Sequence, residues 1–366
     1  MSAALSSRER YAVVAFVLLT VALWTVFPIL GDRVPPGDND EQLRWAMHPA
    51  WGYDKHPPFP TWVLWVFERF LPTGFGLTYF LGGLQVAVML ACAWILGRWL
   101  LDGRRAWIAV LLAGCITYYT ARLHFYNHNT VQLAVYAISL CCLWRAVRTD
   151  AFAWWAALGA CWGAGMLCKY QMVVPIACNL AFLWTIRSIG WARLLRGVLV
   201  ASLVSLAVFA PHVAWLMDND FPTFNYASKS LAAHLGPVGR VKDVAGFLAS
   251  QAWRLTPAAI LAAALLWRVG AATVKVAPSS APDRHAESLL AVHAWGPLAL
   301  MSLLSLLAGV NLQMHWGTAF IWVIPLWFLG TARGRRLASV TVRQALVAAG
   351  AVQLLMLAAY LGSTPK

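Results

Sequence analysis

Charged side chains are scarce in this chain: Asp, Glu, Lys and Arg make up 11% of its 366 residues, against 61% hydrophobic, with a mean hydropathy of +0.65. So few charges cannot clothe a water-soluble domain, which excludes an ordinary cytosolic enzyme. Acids are scarcer still, with 14 Asp and Glu against 28 Lys and Arg. Cysteine is confined to Cys92, Cys115, Cys141, Cys142, Cys161, Cys168 and Cys178, all in or near apolar runs, with no CxxC spacing and no companion acids. A disulfide framework and a zinc cluster are thereby excluded, and the thiols read as small packing residues. Duplicated halves and low-complexity tracts are absent, and no polar stretch is long enough to bury a soluble core of its own.

What the chain has in abundance is long apolar runs: Tyr11–Gly31, Leu77–Gly97, Trp107–Thr120, Thr130–Val147, Phe152–Leu167, Gln171–Ile186, Gly197–Met217, Ala245–Trp267, Leu289–Val310, Thr318–Gly330 and Ala345–Leu361. At ~20 residues per span they predict an all-α polytopic membrane protein of about eleven transmembrane helices. The runs are continuous rather than alternating, which argues against a barrel. Arg8 and Arg10 precede the first run as in a signal peptide, but no small-residue cleavage site ends it, so it is retained as a span.

With the N-terminus inside, the inner turns hold Arg98, Arg104, Arg105, Arg145, Arg148, Arg187, Arg193, Arg196, Arg268, Lys275, Arg284, Arg333, Arg335, Arg336 and Arg343. Fewer cations, among them Arg33, Arg44, Lys55, Arg122, Lys169, Lys229 and Arg254, fall outside, which fits the positive-inside bias. The +14 net charge therefore reads as topogenic and lipid-facing rather than as a nucleic-acid footprint. The polar loops, Asp38–Trp62 first among them, are therefore expected on the outer side of the membrane. Residues 1–366 form a single transmembrane domain, with a first outer loop over 32–76 and a Pro- and Ser-rich cytoplasmic linker over 276–288.

The first outer loop holds the densest chemistry, in Asp38–Trp62. Asp38, Glu41 and Trp45 stand at i, i+3 and i+7, so a short surface helix would put two carboxylates and an aromatic on one face, with Asp38 as its N-cap. Trp51-Gly52-Tyr53 forms an aromatic turn, and Lys55-His56-Pro57-Pro58 predicts an extended lead into a second surface helix, Phe59–Phe70, closed by Pro72. A cation beside a double proline and a carboxylate suits a bound phosphate or sugar. Four further segments fall on the same side: Arg122–Asn129, Lys169-Tyr170, Asp218–Asp243 with His234, and Asn311–Trp316. One shared site near the membrane boundary explains their company.

The first-loop acid, the aromatic-Gly-Tyr turn and the basic-Pro-Pro element resemble those of GT-C glycosyltransferases of the protein mannosyltransferase and aminoarabinose transferase superfamily, nearest to the bacterial galacturonosyltransferase-like group. The resemblance continues through Phe125–Thr130, Gly165–Tyr170 and His315-Trp316. It implies a GT-C fold and an inverting enzyme that moves a sugar from a polyprenyl-phosphate carrier to an envelope glycolipid, glycan or protein acceptor. It also implies that the first-loop acid is the base: register on the Trp51–Tyr53 turn gives Asp38, with Asp40 or Glu41 as alternatives. A base suffices when cations neutralise the departing phosphate, and the candidates are Lys55, His56, Arg122, Lys169 and Arg254. Trp45, Trp51, Tyr53, Asn127, Asn129 and His315 are the candidate sugar and acceptor contacts.

Two departures stand out. Many relatives carry an acid where this chain has Asn127 and Asn129, and aminoarabinose transferases have Lys before Pro-Pro where His56 stands. No cofactor is required by this chemistry. A divalent ion could draw on His48, His56, His124, His128 and His315 beside Asp38, Asp40, Glu41 and Asp54, but only His124 and His128 have i, i+4 spacing. Most of the 21 tryptophans read as an interfacial belt. A transporter or flippase of lipid-linked sugar is the competing class; it predicts inverted repeats and acids near the midplane, where this chain has almost none. A non-catalytic binder of the same lipid is the third reading.

Overall fold

The computed structural model describes residues 6–31, 34–231, 236–270 and 283–363, and every regular element among them is helical. Arg33, His234, Lys275 and the 276–282 part of the cytoplasmic linker lie outside the described residues. The chain runs through α1 (Ser7–Gly31), the surface helices α2 (Gly37–Ala46) and α3 (Phe59–Phe67), then α4 (Phe75–Leu100) and α5 (Gly103–Ala113). Next come α6 (His128–Thr149), α7 (Phe152–Cys168), α8 (Val173–Thr185), α9 (Trp191–Asp218) and α10 (Pro222–Leu231). The chain closes with α11 (Pro237–Val269), α12 (Arg284–Ala308), α13 (Val323–Gly330), α14 (Ala332–Arg335) and α15 (Val342–Ser363).

Helices are what a bilayer demands, because only they satisfy the backbone within one segment. Seven of these helices, α1, α4, α6, α9, α11, α12 and α15, are long and apolar enough to cross a membrane. The apolar helices α7 and α8 are shorter, at 17 and 13 residues. The runs predicted over Trp107–Thr120 and Thr318–Gly330 become the short helices α5 and α13, of 11 and 8 residues. Side-chain demands shorten both: the hydroxyls of Tyr118 and Tyr119 donate to the carbonyls of Met314 (2.6 Å) and Thr318 (2.7 Å), which pins both segments in turns.

Helix α6 is the central post. Buried residues make up 89% of its apolar window, and it packs against α4 and α7 while Tyr136 hydrogen-bonds His293 of α12 at 2.9 Å. Helices α7 and α9 pack closely because Gly159 has no side chain; a Cβ there would run into the Ala201 backbone. By contrast α1, α9, α11 and α15 leave most of their apolar surface outside the protein, as lipid-facing helices do.

The loop helices differ from expectation at their ends. Pro36, at φ −54, is the N-cap of α2 and Asp38 lies inside the first turn, making no capping bond. The fixed φ of proline starts the helix earlier and leaves the Asp38 carboxylate for other partners. Pro58 is not extended but near-helical (φ −89, ψ −12), and α3 ends at Phe67, with turn bonds from Arg69, Phe70 and Leu71 closing it.

Candidate functional site

Helix α2 has three faces with three uses. Asn39, Gln42 and Ala46 face inward: Asn39 is fully buried, donating to Thr78 Oγ1 (2.8 Å) and the His124 carbonyl (2.9 Å) and accepting from Tyr126 N (3.1 Å). Gln42 accepts from Thr61 Oγ1 of α3 at 2.8 Å. Asp40 and Arg44 pair on the outside at 3.1 Å. Between them runs the face of Asp38, Glu41 and Trp45, and each meets a partner from another part of the chain. Asp38 Oδ2 accepts from Asn127 Nδ2 at 2.7 Å, Glu41 forms an ion pair with Lys55, and Trp45 stacks on Tyr53 with centroids 4.6 Å apart and planes 8° apart.

The Trp51–Tyr53 turn is clamped from α9 and α10. His212 Nδ1 donates to the Trp51 carbonyl (2.6 Å), so its Nε2 is the acceptor for the Tyr170 hydroxyl (2.7 Å). Thr223 donates to the Tyr53 carbonyl at 2.9 Å, and Gly52 leaves the room that the Trp215 ring occupies. Trp51 itself is 49% exposed and meets Trp62 edge-on at 4.9 Å.

Across from α2, the start of α6 carries the other half of the site. Asn127 caps that helix, its Oδ1 accepting from the backbone N–H of Asn129 (2.8 Å) and Thr130 (3.2 Å), while Thr130 Oγ1 accepts from Asn127 N (2.9 Å) in a capping box. Asn129 Oδ1 accepts from Lys169 Nζ at 2.8 Å, which fixes its amide so that Nδ2 donates to His128 Nε2 (3.2 Å). His128 lies against His56, with centroids 3.8 Å apart, and Tyr226 of α10 meets His56 edge-on at 5.7 Å. Lys169, at the end of α7, points over the Trp316 ring at 4.9 Å. Arg122 lies over Phe125 (4.4 Å) and Arg254 over Tyr118 (4.6 Å), with Arg254 also donating to Ser250 Oγ at 2.8 Å.

Burial sets the charge states here. It pushes Lys169 down to about 7, against the pull of Asp38. His56 falls to about 3, by burial and then by the nearby charges of Lys169 and Lys55. His315 falls to about 4, by burial and then by Lys169, Arg122 and Arg254. Burial also lowers Arg122, assisted by Arg254, whereas the Glu41 hydrogen bond raises Lys55. At neutral pH the site therefore presents neutral imidazoles among cations. Arg122, Lys169 and Arg254 have no carboxylate within ion-pair distance among the described residues.

The predicted residues thus converge: Asp38, Glu41, Trp45, Tyr53, Lys55, His56, Asn127, Asn129 and Lys169 meet through direct contacts, and Arg122, Arg254 and His315 adjoin them electrostatically. Asp40 faces away, toward Arg44. Sequence reasoning passed over Asn39, Gln42 and His212; of these only His212, beside Pro211 in an apolar run, carries a signal of misplaced polarity. Among the described residues no group of three or more His, Cys, Asp or Glu side chains is placed to hold a metal ion.

Known proteins fit this architecture. Residues 55–215 match the family described as dolichyl-phosphate-mannose-protein mannosyltransferase. The ArnT protein of Cupriavidus metallidurans bound to undecaprenyl phosphate superposes with a TM-score of 0.67 at 19% identity, over 95% of this chain and 63% of ArnT. Its apo state gives 0.65 at 21% identity, over 96% and 63%. This chain thus spans less than two thirds of ArnT's length. Curated protein sequences give no match. An all-helical bundle with two surface helices in its first loop, superposable on ArnT and carrying the mannosyltransferase signature over residues 55–215, has the fold of the GT-C glycosyltransferases.

Proposed function

We propose that this protein is an inverting glycosyltransferase that takes a sugar from a polyprenyl-phosphate carrier and joins it to an envelope glycolipid, glycan or protein at the periplasmic face of a bacterial inner membrane. The observation that carries the reading is the pair of opposite charges held on the first turn of α6: the Asp38 carboxylate by Asn127 and the buried Lys169 ammonium by Asn129. The match to an ArnT structure holding undecaprenyl phosphate supports a carrier of that class.

In this reaction the acceptor hydroxyl attacks the anomeric carbon from the face opposite the phosphate. Asp38 takes the hydroxyl proton as the new C–O bond forms, which is general-base help. The bond from the anomeric carbon to the phosphate oxygen breaks, and its electrons stay on the carrier phosphate. That group needs no proton if cations meet it, and the unpaired Lys169, Arg122 and Arg254 are available. Lys55, tied to Glu41, brings a further cation to the edge of the site, and His56 offers a neutral N–H donor. Glu41 is committed to Lys55 and Asp40 to Arg44, so Asp38 is the base in this scheme. Trp45, Trp51, Tyr53 and His315 supply ring faces and an imidazole for the sugar.

The test uses the full chain in lipid nanodiscs with a radiolabelled pool of polyprenyl-phosphate sugars extracted from the native envelope. Label should move to envelope acceptor in the wild type and remain on the carrier in Asp38→Asn, while undecaprenyl phosphate still binds. Undiminished transfer by Asp38→Asn would remove the base, and no transfer by the wild type from any lipid-linked pool would remove the enzyme.

A further inference from the structure

Asn127 and Asn129 stand two residues apart at the start of α6, both nearly fully buried, and present opposite ends of their amides to opposite charges. Neither amide is free to turn. Asn127 Oδ1 is committed to two backbone N–H groups, so only its N–H2 end faces Asp38. Lysine can only donate, so only the carbonyl end of Asn129 faces Lys169.

We propose that Asn127 and Asn129 are positioning residues, a rigid yoke on the first turn of α6 that holds the base Asp38 and the phosphate-facing Lys169 at a fixed spacing while keeping both charges available for substrate. This rests on the functional reading above. The neutral amides matter. An aspartate at 127 would cap α6 as well as asparagine does, but it would set a second carboxylate against Asp38, and two such anions hold a proton between them. An aspartate at 129 would neutralise Lys169 before any phosphate arrived. The charged and titratable neighbours of the pair are Lys169 and Arg122 toward Asp38, and Asp38, His56, His128 and His315 toward Lys169. None of them replaces the bonds that the two amides make.

The experiment titrates each end separately in the full chain. The Asp38 carboxyl stretch, assigned by infrared difference against Asp38→Asn, should titrate at higher pH in Asn127→Asp, and the acid limb of transfer from the native lipid-linked sugar pool should move up with it. Asn127→Ser keeps a capping hydroxyl but cannot reach Asp38, so its thermal midpoint should stay near wild type while kcat falls by about tenfold or more at unchanged donor KM. At the other end, a short polyprenyl phosphodiester, whose single charge does not titrate near neutrality, is the binding probe. Asn129→Asp should weaken it at pH 6, and Asn129→Leu should raise donor KM with little change in kcat. If Asn127→Asp leaves both the carboxyl titration and the acid limb in place, or Asn129→Asp binds the phosphodiester as wild type does, the yoke is overturned. If Asp38→Asn itself transfers normally, the base assignment falls and the yoke with it. An inactive Asp38→Asn beside an unshifted Asn127→Asp refutes the yoke alone.

Discussion

An ammonium held by one amide oxygen and one indole face keeps its proton weakly, and burial pushes Lys169 down to about 7. The phosphodiester donor of the proposed reaction would reverse this by supplying the missing counter-charge. The sign follows: below pH 7 the free protein is already protonated and donor affinity is flat, whereas above pH 7 binding must also recruit a proton. Donor KM should therefore rise by up to about tenfold per pH unit on the alkaline side. Lys169→Arg, which does not titrate in this range, should flatten that rise. Lys169→Met should weaken donor binding below pH 7 by about 2–5 kcal/mol, the usual cost of losing one partner of a buried charge pair, and the difference from wild type should narrow as the pH rises. Initial rates against donor concentration from pH 6 to 9 measure all three. A KM in the wild type that does not change with pH would detach Lys169 from the phosphate.

Helix α2 shows what the sequence disclosed at the scale of an element and what it withheld. The i, i+3, i+7 spacing of Asp38, Glu41 and Trp45 was legible because the helical period alone puts them on one face. That Asn39 and Gln42 form the buried face was not, since a solvated amide and a buried one are spelled alike; their partners, Thr78, His124, Tyr126 and Thr61, come from distant elements. The eleven apolar runs marked the helices, but hydroxyl bonds from Tyr118 and Tyr119 to carbonyls near residue 316, invisible to hydropathy, cut two of them short. The clamp on the first loop was hidden by distance as well, since His212 and Trp51 are separated by 161 positions. A prediction belongs to this scale. Asn39→Ala should strand the donors and acceptors it now satisfies, at about 1–3 kcal/mol for each buried group left unpaired. Hydrogen exchange should then quicken over 37–46 while α4 and α6 stay protected, and kcat should fall because Asp38 rides on the loosened helix. Wild-type exchange across 37–46 would show that α2 is held by something other than Asn39.

At the scale of the whole molecule the two ends of the bundle differ in how their charges are satisfied. At the end away from the site, arginines answer to local acids and carbonyls: Arg105 to Asp102 at 2.6 Å, Arg196 to Asp150 at 2.8 Å, Arg148 to Asp283 at 3.2 Å, and Arg193 to the Val147 carbonyl at 2.6 Å. At the site end, Lys169, Arg122 and Arg254 have no carboxylate partner among the described residues. The proposed function requires the arginine-rich end to be the inner one, as positive loops are retained inside, with Lys169, Arg122, Arg254 and Asp38 facing outward toward a lipid-linked sugar and its acceptor. Single-cysteine labelling in a background with the seven native cysteines replaced checks that orientation. Met47, 68% exposed beside the site, should as Met47→Cys react with a membrane-impermeant maleimide in intact spheroplasts. Arg187→Cys, exposed at the opposite end, should react only after the membrane is opened. The reverse pattern would put Asp38 in the cytosol, and a transfer reaction on the outer face would then have no base.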